Sequence, residues 1–158
     1  MSSSDRAGVD LAAQDGTGSK VDLLQEEALG GHTISQHVGK SDEFLLNRVR
    51  DFQNEMQVNQ GVDVVAGSFS SINSANNLVS STLAQNASTV DAVANGDLLS
   101  TKIQGFFSSP TGKEAFASNA VSSPYIRDTY SVTAILKHDD RLSSGFYILT
   151  AFPSAPYK

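Results

Sequence analysis

Three histidines, His32, His37 and His138, are the only side chains in this sequence whose ordinary pKa lies close enough to neutrality to take and return a proton at cellular pH. His32 and His37 are separated by about 140° on a helix, whereas a zinc-binding pair on one helix needs a spacing of four residues. Their spacing therefore favours proton transfer over metal ligation, and with no cysteine in the chain a thiolate site is excluded. A serine-hydrolase elbow, a phosphate-binding P-loop and a dinucleotide glycine fingerprint are all missing from the sequence. His37 stands with Ile34 and Val38 in a short stretch that sets its ring at the margin of an apolar face. On the residues alone it is either a half-buried structural histidine or an acid-base group.

Arg48 is the second residue of interest. Counting about 100° per residue from Phe44, Arg48 falls near 40°, inside the sector that Leu45, Val49, Phe52 and Met56 occupy, whereas Arg50 falls near 240°. Arg48 thus points inward, and a buried guanidinium needs an anion. That anion is either Asp51, three residues on, or a bound phosphate.

These residues must be positioned by the elements around them. Residues 21–29 carry Leu23, Leu24 and Ala28 at helical spacing and stop at Gly30 and Gly31. Ser41 has the form of an N-cap, with Asp42 and Glu43 in the first turn, and an amphipathic helix is expected from there to about residue 57. Residues 66–100 are crowded with Ser, Asn and Ala, and Ile72, Ala75, Val79 and Leu83, or Val90 and Val93, mark modest helices. Residues 98–107 are largely apolar and end at a turn around Pro110. Residues 130–136 and 146–152 alternate as the two strands of a β-hairpin, with His138 in the connecting loop as a solvated turn residue. On the second strand Phe146, Ile148, Thr150 and Phe152 are expected on one face and Tyr147, Leu149 and Ala151 on the other, the strand ending at Pro153. Helices first and sheet last make an α+β domain.

The chain has 158 residues, enough for one core, and carries a net charge of −6. Residues 1–31 hold six acids against two bases, so four of those six negative charges lie in a segment whose first 20 residues read as a flexible Gly/Ser/Asp-rich linker. The remainder is nearly neutral. That excludes a broad basic face for long duplex nucleic acid but leaves room for a local basic cleft. No secretory leader, and no apolar run long enough to span a membrane, is found, so stable membrane insertion is not expected and export would depend on a larger parent polypeptide.

The string from Gly30 through His32, Thr33, His37, Val38, Gly39 and Lys40 to Ser41, followed by Leu45, Leu46, Asn47 and Arg48 and closed by Ile148 to Pro153, resembles the RNase A-like C-terminal toxin domains of CdiA-type contact-dependent growth inhibition proteins. The resemblance runs in order over about residues 23–153. It implies a kidney-shaped fold like pancreatic ribonuclease without its disulfides, with N-terminal helices packed on a C-terminal antiparallel sheet, and residues 21–158 as the toxin domain. It implies RNA as substrate, either transfer RNA or bulk RNA, secretion as part of a larger cell-surface protein, delivery to the cytoplasm of a neighbouring bacterium, and a cognate immunity protein that blocks the cleft. The family's catalytic His falls on His37, its Arg on Arg48 and its Thr on Thr150. The family's Tyr two residues later is Phe152 here, and lacking a hydroxyl it is expected to stack on a base.

With that resemblance the residues suggest metal-independent transphosphorylation without a cofactor: His37 as base or acid, Arg48 and Thr150 on the phosphate, His32 as the first candidate for the second proton-transfer group, and Lys40 as a phosphate contact. Two other readings compete with it. One is a toxin that modifies a nucleotide or protein, for example by ADP-ribosyl transfer, which labelled NAD would reveal. The other is a non-enzymatic interaction module in which Arg48 pairs with Asp51.

Overall fold

The structure, a computed structural model, describes residues 21–56 and 61–155; the linker expected over residues 1–20 lies outside these. Three helices open the fold: α1 (Leu23–Ala28), α2 (Thr33–His37) and α3 (Asp42–Glu55). Strand β1 (Val64–Ser68) follows, then α4 (Ile72–Gln85), α5 (Ala87–Ala94) and five strands: β2 (Ser100–Phe106), β3 (Gly112–Ala117), β4 (Tyr125–Thr129), β5 (Ser131–His138) and β6 (Phe146–Ser154). The class is α+β, as expected, but the strands make two three-stranded antiparallel sheets, ordered β1-β3-β4 and β2-β5-β6. Among the described residues no helix is long and apolar enough to cross a membrane.

The helix signals act as the residue types require. Ser41 Oγ accepts from the Phe44 N–H at 3.1 Å, capping α3, and Ser71 does the same for α4 through Ser74. Each sheet has its own core. Helix α3 lays Leu45 and Val49 on Val64, Ala66, Ala115 and Ala117 of the first sheet. Helices α4 and α5 lay Ala75, Val79 and Val93 on Ile103, Val132, Ala134, Leu136 and Ile148 of the second.

Strand β6 departs from the expected pattern in two ways. The register slips so that Leu136 pairs with Ile148 and Ile135 with Thr150, leaving Leu149 as the extra residue of a β-bulge. One extra residue reverses the alternation, so Phe146 and Ile148 share the core with Ala151, while Thr150 and Phe152 turn to the opposite face. The strand also runs through Pro153 to Ser154 instead of ending there, because β6 is an edge strand and a missing N–H costs no ladder bond on its open side.

The sheets meet where glycine leaves room. A Cβ at Gly67 of β1 would sit 2.5 Å from the Pro153 carbonyl oxygen, and one at Gly112 would sit 2.9 Å from the Pro153 ring. Strand β6 therefore belongs to one sheet by hydrogen bonding and wedges against the other by contact.

Candidate active site

The shortest helix carries the central residue, so its placement depends on its neighbours. The bulge in β6 frees the Leu149 carbonyl, which accepts from the His32 N–H at 2.8 Å, and Glu26 Oε1 accepts from the Ile148 N–H at 2.7 Å. Gly31 packs so closely that a Cβ there would lie 2.5 Å from the Ile148 carbonyl. At the other end the Phe69 N–H donates to the His37 carbonyl at 2.8 Å and the Gly39 N–H to the Phe69 carbonyl at 2.9 Å. Helix α2 is thus fastened to β6 at its start and to the end of β1 at its finish.

That fastening brings the His37 ring to β1, where Nδ1 lies 2.9 Å from the Gly67 carbonyl oxygen. A carbonyl only accepts, so Nδ1 carries the proton and Nε2 is left with its lone pair. Burial is the largest influence on this imidazole and lowers its pKa to about 4, the Gly67 carbonyl pulls the other way, and the positive charges of Arg48, His32 and Lys40 lower it further. His37 is therefore a neutral imidazole at cellular pH. The Phe152 ring lies against it, centroids 5.3 Å apart.

His37, Arg48 and Phe152 line one cleft of about 180 Å³ together with Phe52, Val65, Ala66, Gly67, Glu114 and Pro153. Arg48 reaches it from α3, its guanidinium carbon 5.2 Å from the centre of the Phe52 ring. It forms no ion pair with Asp51, so of the two partners left open by the sequence the local carboxylate is ruled out. Neither His32 nor Lys40 lines the cleft: His32 is exposed at the start of α2, and the Lys40 ammonium sits 5.1 Å over the Phe44 ring. Thr150 lies on the same face of β6 as Phe152, but its hydroxyl is buried without a hydrogen-bond partner. His138 is no solvated turn residue. Its side chain is 13% exposed, with Nδ1 bonded to the Val93 carbonyl at 2.7 Å and Nε2 to Asp140.

Sequence reasoning missed two residues of the cleft. Gly67 supplies the carbonyl that fixes the His37 tautomer, and Glu114, its cross-strand partner, is 1% exposed and held by Arg127 through 2.8 and 2.7 Å contacts. Burial raises the Glu114 pKa against the opposing pull of Arg127. The alternation of Ala115 and Ala117 is the one local signal for this strand, and it does not reveal that Glu114 shares a cleft with His37.

The fold, two antiparallel sheets wedged together behind N-terminal helices, has a solved counterpart. The crystal structure of the CdiA-CT/CdiI complex from Y. kristensenii 33638 contains a chain that superposes with a TM-score of 0.59 at 23% identity, covering 78% of this chain and 99% of that one. No curated protein is similar enough to count as a relative. The sequence profile of the family described as Bacterial CdiA-CT RNAse A domain matches residues 31–153. The chain belongs to that family, the RNase A-like class of CdiA C-terminal toxin domains.

Proposed function

We propose that the chain is a metal-independent endoribonuclease that acts as a contact-dependent growth inhibition toxin. The observation that carries the reading is the pairing, in one cleft, of a neutral His37 whose Nε2 lone pair is unoccupied by its Gly67 anchor with an Arg48 that has no ion pair to Asp51. In the proposed step a ribose 2′-hydroxyl gives its proton to His37 Nε2 as its oxygen attacks the adjacent phosphorus. The bond to the 5′-oxygen breaks, that oxygen takes a proton, and a 2′,3′-cyclic phosphate remains. Arg48 holds the non-bridging oxygens as charge builds.

The supporting roles are those that the family resemblance implies. Thr150 Oγ1, buried and unpartnered two residues before the cleft residue Phe152, donates to the phosphate once substrate is bound. Phe152 stacks on a base. His32 is the candidate donor to the leaving oxygen, and Lys40 a phosphate contact on the positive rim. By analogy with the CdiA-CT/CdiI complex, a cognate immunity protein covers the cleft. Residues 1–20 link the domain, residues 21–158, to a larger cell-surface CdiA-type polypeptide that delivers it to the cytoplasm of a target bacterium.

Purified chain incubated with total RNA in EDTA should give cleavage products ending in cyclic phosphate. His37→Ala and Arg48→Ala should each lower the rate by about 10²-fold or more with native-like circular dichroism. Full activity in either variant removes that residue from the mechanism, and no product from the wild type removes the reading itself.

A further inference from the structure

The face of the first sheet that lines the cleft continues beyond it. Ala115, Ala117 and Ile126 pack toward α3, so alternation turns Glu114 and Phe116 of β3 to the opposite face, together with their cross-strand partners Arg127 and Tyr125. On that face the Arg127 guanidinium carbon sits 3.8 Å from the centre of the Phe116 ring, and the Phe116 and Tyr125 rings meet at 5.7 Å and 70°. Two contacts to Glu114 Oε2 fix the guanidinium, yet a third of the Arg127 side chain and 52% of Tyr125 remain exposed. A tyrosine placed only to pack would lose more of its surface.

We propose that Tyr125, Phe116 and Arg127 form a stacking platform for an unpaired base of a single-stranded RNA, next to or two removed from the phosphodiester held between His37 and Arg48. Base stacking on aromatic rings and guanidinium planes is the way single strands are held without sequence preference. Two observations favour RNA as the occupant. The platform is continuous with the cleft through Glu114, whose charge Arg127 already meets. Arg127 stands two strands from Gly67, roughly 10 Å, within reach of a neighbouring nucleotide. The proposal rests on the reading of the cleft as a ribonuclease site and names how that site holds a strand.

The test uses the full chain and a 2′-O-methyl RNA hexanucleotide, which has no 2′-proton to lose and cannot be cut, with binding read by fluorescence anisotropy. Tyr125→Ala should weaken binding about tenfold, Phe116→Leu should weaken it similarly, and Tyr125→Trp should restore or tighten it. A duplex of the same sequence should show no dependence on residue 125. Equal affinity of Tyr125→Ala and wild type, with matching circular dichroism, overturns the platform, as does failure of the wild type to bind the hexanucleotide. If Tyr125→Ala changes only the affinity for a protein inhibitor, the face is a protein contact and the platform is again overturned. RNA cleavage is scored separately: hexanucleotide binding that depends on Tyr125 without any cleavage sinks the ribonuclease reading and leaves the platform, and cleavage with no role for Tyr125 does the reverse.

Discussion

His37 combines two properties that usually conflict in a histidine: it is too buried to hold a charge in the resting protein, yet it lines an open cleft. Its folded pKa of about 4 lies below the ordinary 6.5, so between those values the unfolded chain binds a proton that the folded chain refuses. Stability from this group is therefore complete above pH 6.5 and falls as the pH drops toward 4, by roughly 3 kcal/mol across the window. Melting temperature should fall more steeply for wild type than for His37→Gln over that range, and the acid limb of kcat/KM should lie near pH 4 instead of 6.5. A midpoint at 6.5 would show that the ring is solvated. His37 and Arg48 could be found in the sequence because histidines are few and because an arginine in an apolar helical sector is conspicuous. Gly67 and Glu114 could not, since their roles arise from strand register between residues far apart in the chain.

At the level of elements, α3 was legible because it exposes one face and buries the other, which imprints a period on the sequence, and the β5–β6 hairpin because its strands are rich in β-branched and aromatic residues on either side of a polar turn. Strand β1 was not legible. Four of its five residues are buried, so it has no alternation to detect. The faces of β6 were misassigned for a different reason: a single bulged residue inverts parity, and nothing in Ile148, Leu149 or Thr150 announces it. That bulge is also what docks α2, so Gly31→Ala, which drives a methyl group into the Ile148 carbonyl, should cost about 1–3 kcal/mol in denaturant unfolding and reduce RNA cleavage. A second joint ties α5 to the hairpin loop through His138, whose two ring nitrogens both face acceptors, an arrangement that favours the protonated ring. Its pKa is raised, first by Asp140 and then by the Val93 carbonyl, so its stabilisation is present below the ordinary 6.5 and is lost as the pH rises through the folded value. As the pH rises from 6.5 the melting temperature of wild type should decline toward that of His138→Gln; parallel curves would count against the joint.

Across the whole molecule, two small cores are joined without any disulfide, and the cleft exists only where the sheets meet. Residue positions from α2, α3, β1, β3 and β6 reach it, so neither core alone could assemble the site. Gly67→Ala tests this dependence directly. A methyl group 2.5 Å from the Pro153 carbonyl must push the sheets apart, and the expected result is a loss of about 1–3 kcal/mol in chemical denaturation together with a large fall in cleavage, because the same residue orients the His37 ring. Loss of stability with undiminished turnover would show that the wedge is not what shapes the cleft.

The partner that sets the His37 tautomer is a peptide oxygen, not a carboxylate, and this has an evolutionary consequence. No single amino-acid change can delete that acceptor, since every residue type at position 67 would bring its own. Inactivating mutations of the orienting group should therefore arise only as distortions of shape, and a lineage under pressure to lose the toxin would sooner alter the imidazole or the guanidinium than the strand that aims them.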